Sequence, residues 1–176
     1  GGQWNSITLQ NSVIRNGNYA VGADGVAISW EGGTDNHLVN NEIYDWSSHT
    51  VQLGHNGVGE LPGAVVENND LYVSPVLHVN GGTQSVAESV MVMKTSGTSA
   101  NPAKIIHNRI WGGRWTDTGQ CCIGGADGKG ISITPVDASN PREWIIVQNN
   151  IVFDNQNGIQ GSISTNNRIS IIGNLV

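Results

Sequence analysis

The chain has 176 residues, a formal net charge of −6 at pH 7, 12% charged and 38% hydrophobic residues, and 24 glycines. That length suffices for a single domain, residues 1–176, with a sizeable core. Charge this sparse, against an ordinary share of about 25%, excludes a disordered chain of low hydrophobicity, and the scarcity of Glu, Lys and Leu excludes a helical bundle or coiled coil.

Taken in chain order, short β-prone segments alternate with Gly-, Asn- and Ser-rich bends. Strand pairs are predicted at residues 7–13, 38–43, 65–71, 105–110, 147–152 and 171–176. Single strands fall between them at 26–30, 50–53, 90–93, 121–123 and 158–160. Every pair fits one template: aliphatic or β-branched residues, a polar or small residue, Asn, any residue, then an aliphatic. Its asparagines are Asn11, Asn41, Asn69, Asn108, Asn150 and Asn174. Asn suits a sharp bend because it tolerates the left-handed backbone region and bonds neighbouring backbone groups.

Three short strands per repeat, with the shortest repeat running from Asn150 to Asn174, describe one coil of a parallel solenoid. Five to six such coils are expected. Stacking would align the asparagines in a ladder, each amide bonding the next coil about 4.8 Å away. An antiparallel sandwich or barrel would need more two-residue hairpin turns than the chain has. A parallel βα fold would need helical periodicity between its strands, and the intervening segments lack it.

The segments Asn41-Glu42-Ile43-Tyr44, Asn108-Arg109-Ile110-Trp111 and Asn149-Asn150-Ile151-Val152 resemble the right-handed parallel β-helix superfamily typified by pectate lyases. The resemblance covers nearly the whole chain and implies an all-β, right-handed parallel β-helix. Activity is open within that superfamily, which includes polysaccharide lyases, hydrolases, epimerases, phage tailspikes and adhesins. It implies an extracellular or cell-surface protein with a polysaccharide or other glycan as partner. The eight Lys and Arg residues are scattered, without the basic stripe of a nucleic-acid binder. No apolar run approaches the roughly 18 residues of a membrane span. Neither terminus shows a polar cap, and the chain starts at Gly1 rather than Met. A segment of a longer protein is therefore expected, its ends meeting the remaining coils of the parent chain or a neighbouring subunit.

Insertions in a solenoid become loops on one face and often wall a binding site. The predicted insertions are 54–63, 74–89, 95–102 and 124–143, all abutting the third strand. If Met91 and Met93 face inward, Val92 and Lys94 face outward. Stacking then places Glu31, Gly54 and Gly124 in the column of Lys94, with His55, Thr95 and Asp127 close by. Lys94, Arg114, His55 and Glu31 form the candidate catalytic group.

In several polysaccharide lyases of this architecture, a Lys or Arg on this face takes the C5 proton of the sugar during β-elimination. A lysine serves as that base once desolvation or neighbouring cations keep it neutral. The stretch Met93-Lys94-Thr95-Ser96-Gly97 resembles one alginate and chondroitin lyase group that pairs Lys with an Arg on the next coil. Here Gly124 is expected at that stacked position, so the arginine is missing.

A glycoside hydrolase is the alternative if two cleft carboxylates lie about 5–9.5 Å apart, drawn from Glu31, Glu60, Asp117 and Asp127. A non-catalytic structural or adhesive solenoid, in a surface protein or tail fibre, is the other. Trp111, Trp115, Asp117 and Asp127 are candidate substrate contacts, since exposed Trp rings stack on the apolar faces of sugars. Asp117, Asp127 and Asp137 are the candidate ligands for calcium, which takes six to eight oxygens. His37, His49, His55, His78 and His107 contain no His-x-x-x-His pair for zinc. The adjacent Cys121 and Cys122 leave the redox compartment open, because neighbours on a strand point to opposite faces.

Overall fold

The computed structural model describes residues 5–17, 26–46, 49–54, 60–74, 89–113, 128–133, 143–161 and 168–176. Sixteen strands, numbered in chain order, lie among them, and no helix does. Sheet A stacks β1 (Thr8–Gln10), β4 (His37–Val39), β7 (Val65–Glu67), β10 (Ala103–Ile106), β13 (Glu143–Gln148) and β16 (Arg168–Ile172). Sheet B stacks β2 (Val13–Gly17), β5 (Glu42–Trp46), β8 (Asp70–Tyr72), β11 (Arg109–Trp111) and β14 (Ile151–Phe153). Sheet C stacks β3 (Val26–Trp30), β6 (His49–Leu53), β9 (Ser89–Met93), β12 (Lys129–Ile133) and β15 (Asn157–Gly161). Every neighbouring pair is parallel, and the chain visits A, B and C in turn, so the fold is a parallel β-helix.

The interior follows from strand alternation, because every second residue of each strand points to the same side. Sheet A contributes the buried column Leu38, Val66, Ile105 and Val147, and sheet B contributes Ile43, Leu71, Ile110 and Val152. Sheet C adds Val51, Met91 and Ile131 beside Leu53, Met93 and Ile133. This register corrects one expected strand. The third strand of the fourth coil is β12, not residues 121–123, which lie outside the described residues. Ile131 and Ile133 alternate with a serine and sit on Met91 and Met93, whereas Cys121-Cys122-Ile123 has no such alternation.

Each passage from sheet A to sheet B takes two residues, and the two have separate tasks. The first adopts a left-handed backbone: Asn11, Asn40, Asn68, His107, Asn149 and Gly173 have φ between 54° and 64°. Asn, His and Gly are residue types that tolerate this region. The second residue turns its side chain inward. Asn41, Asn69, Asn108 and Asn150 are buried, and each amide Nδ2 donates to the next coil's Oδ1 at 2.9–3.0 Å. The same Oδ1 accepts the preceding coil's backbone N–H, as from Asn69 to Asn108 at 2.9 Å. Nδ2 also bonds main-chain carbonyls, such as Val66 and Ile106 for Asn108. Each buried amide is thus satisfied, as burial requires.

The ladder runs through Asn41, Asn69, Asn108, Asn150 and Asn174, and Asn11 is not one of its members. Asn11 occupies the left-handed position, and Ser12 stands at the ladder position, its backbone N–H donating to Asn41 Oδ1 at 3.0 Å. The template aligned Asn11 with the second asparagine of later coils because both columns favour the same residue type.

Asn108→Ala would orphan both the backbone N–H and one amide contact of buried Asn69, and is expected to lower stability by about 2–4 kcal/mol. The half-buried end member Asn174 should cost less than half as much on the same change, with chemical denaturation reading both.

Candidate functional site

The constant two-residue corner confines variation in length to the connections that enter and leave sheet C. Among these are residues 73–88 and 112–128 on the entering side, and 54–64, 94–102 and 134–142 on the leaving side. Sheet C is therefore bordered by long connections, whereas the other long edge of sheet B meets only the ladder corner. The segment 95–102 is a bonded turn rather than a free wall. Thr98 and Asn101 exchange backbone hydrogen bonds, and Ser96 Oγ accepts the Glu143 N–H at 3.0 Å.

Lys94 follows β9 directly. Its backbone N–H donates to Leu53 O at 2.7 Å, and the Gly54 N–H donates to Trp30 O at 2.6 Å. These bonds set Glu31, Gly54 and Lys94 side by side on three successive coils. Gly54 has φ +82°, and a Cβ there would lie 2.7 Å from the Lys94 carbonyl oxygen. Glycine is therefore required both for the backbone turn and for the close approach. Lys94 is half-buried and Glu31 exposed, and neither side chain has an ion pair among the described residues. Thr95 behind Lys94 is fully buried.

The fourth-coil register moves the neighbour of Lys94. Ile133 pairs with Met93, so β12 rather than residues 121–123 stacks on β9, and the residue that follows Ile133 lies outside the described residues. His55, Arg114, Trp115, Asp117 and Asp127, together with Asp137, Gly124, Cys121 and Cys122, lie outside the described residues. Alternate to the apolar core column runs Ser29, Gln52, Val92, Ser132 and Gln160. Its three central members are only 6%, 3% and 4% exposed, so this stretch of sheet C is covered rather than open. Lys129, which falls within the predicted insertion 124–143, begins β12 and is 9% exposed.

Trp111 belongs to a different feature, on the outer side of sheet B. Tyr44, Tyr72, Trp111 and Phe153 occupy one column and stack nearly parallel, with successive centroids 4.6, 4.3 and 5.8 Å apart. Arg15 heads the column and donates to Tyr44 Oη at 3.2 Å. A second column beside it supplies polar partners. Tyr72 Oη donates to Glu42 Oε1 at 2.7 Å, and Trp111 Nε1 donates to Asp70 Oδ1 at 2.9 Å. Arg109 Nε lies 3.6 Å from Asp70 Oδ1, with its guanidinium 5.7 Å from the Trp111 ring centroid.

The half-buried Trp111 ring thus has a neighbouring ring on the coil to either side, and its N–H is engaged. The stack was visible in the sequence: each ring lies three residues after a ladder asparagine. Elsewhere, His107 takes the left-handed corner position, with Nδ1 3.4 Å from Glu67 Oε1 and Nε2 3.3 Å from Asn149 Nδ2. His49 is buried at the start of β6. No group of three or more His, Cys, Asp or Glu able to hold a metal occurs among the described residues. No helix among them is long and apolar enough to cross a membrane. Comparisons with protein-family models, curated proteins and solved structures found no match.

Burial pushes the Tyr72 hydroxyl well above the ordinary tyrosine range, reinforced by its hydrogen bond to Glu42 and the nearby negative charge. A pKa raised by folding contributes stability that is complete below the unfolded value of about 10 and is lost as pH climbs toward the folded one. Alkaline spectrophotometric titration should therefore show a late-ionising phenol that Tyr72→Phe removes and Glu42→Gln brings back toward the ordinary range.

Proposed function

We propose that the chain is a carbohydrate-active β-helix that binds an acidic polysaccharide at the leaving edge of sheet C and cleaves it by β-elimination, with Lys94 as the base. The observation that carries this reading is the environment of Lys94: half-buried, without an ion pair among the described residues, and flanked by the bare backbone of Gly54. Lysines are ordinarily well exposed or paired when covered, so a half-covered, unpaired amine at an edge bordered by long connections fits a chemical role. The resemblance to the pectate-lyase-like superfamily and an extracellular setting belong to the same proposal.

In the proposed step the Lys94 amine accepts the proton on C5 of a uronate unit. The C4–O bond breaks, a double bond forms between C4 and C5, and the departing oxygen takes up a proton. Glu31 shares the column of Lys94 across Gly54 and borders the same site. Positioning of the sugar by His55, Arg114, Trp115, Asp117 and Asp127 is part of the proposal, as is calcium bound through acidic loop residues.

A second reading, a non-catalytic structural or adhesive solenoid, draws on a separate observation. Gln52, Val92 and Ser132 on the alternate column of sheet C are covered, which leaves no continuous open trough along the middle of that sheet. The hydrolase reading has less support, since the column beside Lys94 contributes one carboxylate, Glu31, and hydrolysis needs two.

Incubation with a panel of acidic glycans, with and without added calcium, is expected to raise the ultraviolet absorbance of the unsaturated product. Lys94→Ala should reduce that rate by about 10²–10⁴-fold, the usual contribution of a general base. No absorbance change across the panel would overturn the lyase reading and favour the adhesive one.

A further inference from the structure

We infer that Glu31 is a specificity-determining residue that selects a mixed glycan, with a neutral sugar two units from the acidic one at Lys94, over a homopolymer of acidic sugars. This rests on the sheet C reading above and names its substrate class. Glu31, Gly54 and Lys94 stand on consecutive coils, tied by the Gly54-to-Trp30 and Lys94-to-Leu53 backbone bonds. Adjacent strands lie about 4.8 Å apart, so Glu31 and Lys94 are separated by two such steps, roughly 10 Å along the solenoid axis. That distance is too long for an ion pair between them, and neither has one among the described residues.

A pyranose unit advances a glycan by about as much as one strand spacing. A chain lying along the axis therefore presents successive units to successive coils. The unit at Lys94 meets the amine that takes its C5 proton, the next lies over Gly54, which has no side chain, and the one after meets the Glu31 carboxylate. A uronate carboxylate at that third position would face a like charge. A neutral sugar there presents hydroxyls, which donate hydrogen bonds to a carboxylate, and such charge-assisted bonds are strong. The column therefore carries opposite demands at its two ends, met by a heteropolymer and violated by a polyuronate.

The test compares binding of two size-matched oligosaccharides, one all-uronate and one with neutral units two residues from each acid, by titration calorimetry at low and high salt. The intact chain is expected to favour the mixed oligosaccharide by about fivefold at low salt, the effect of one like-charge contact in water. The preference should shrink at high salt, as screening demands. Glu31→Gln should abolish it by strengthening polyuronate binding, a gain that mere structural damage would not produce. A preference unchanged in Glu31→Gln, with binding still dependent on Lys94, would overturn the specificity inference alone. Failure of both oligosaccharides to bind, or binding indifferent to Lys94→Ala, would overturn the sheet C reading and this inference with it.

Discussion

The interaction on which the molecule depends is the bond between successive ladder amides at the corner joining sheets A and B. A polar corner inside a β-helix would ordinarily bury unsatisfied donors and acceptors. The asparagine amide supplies both, in the orientation that one coil requires of the next. Asn108 accepts from Asn69 and donates to Asn150 while bonding the carbonyls of Val66 and Ile106. A slip of one residue in any coil would leave several of these groups unpaired at once. The corner therefore sets register, and the registers of sheets B and C follow from it because the chain leaves the corner in the same direction on every coil.

A fixed corner has a geometrical counterpart in the freedom of the other two. Coils three and four are longer than the fifth, and their extra residues lie on either side of sheet C. Sheet B, lying directly after the fixed corner, carries a regular outer surface instead. Its rings repeat without interruption over four coils, supported by Glu42, Asp70 and Arg109 in the column beside them. Regularity and irregularity thus occupy different faces of one solenoid. Lys94 stands on the irregular face.

The architecture was legible because the ladder imposes a residue type at recurring positions, and Asn41, Asn69, Asn108, Asn150 and Asn174 stand out even where spacing varies. The first coil misled because the corner uses two adjacent columns with overlapping preferences. Asn11 satisfies the left-handed column, and a serine is tolerated at the ladder position of that end coil. The fourth coil misled for another reason. Two stretches between Trp111 and Glu143 contain β-prone residues, and only stacking on Met91 and Met93 selects Lys129–Ile133. Burial of Lys129 and of the Gln52–Val92–Ser132 column depends on contacts distant in sequence, for which no local pattern exists. The roles of the rings were partly legible: their offset from the asparagines was present, but whether a Trp face meets a sugar or another ring is decided by coil stacking.

The column of rings has an optical consequence. Tyr44, Tyr72, Trp111 and Phe153 are parallel to within 12° and close enough for their electronic transitions to couple. The protein therefore carries a column of four neighbouring rings that spans the coils from Tyr44 to Phe153. Its near-ultraviolet dichroism reports the assembly of the solenoid axis itself, without an introduced label. Unwinding that releases Tyr44 at one end or Phe153 at the other shortens that column by one ring per coil, whereas loss of the first coil, which contributes Arg15, leaves it intact.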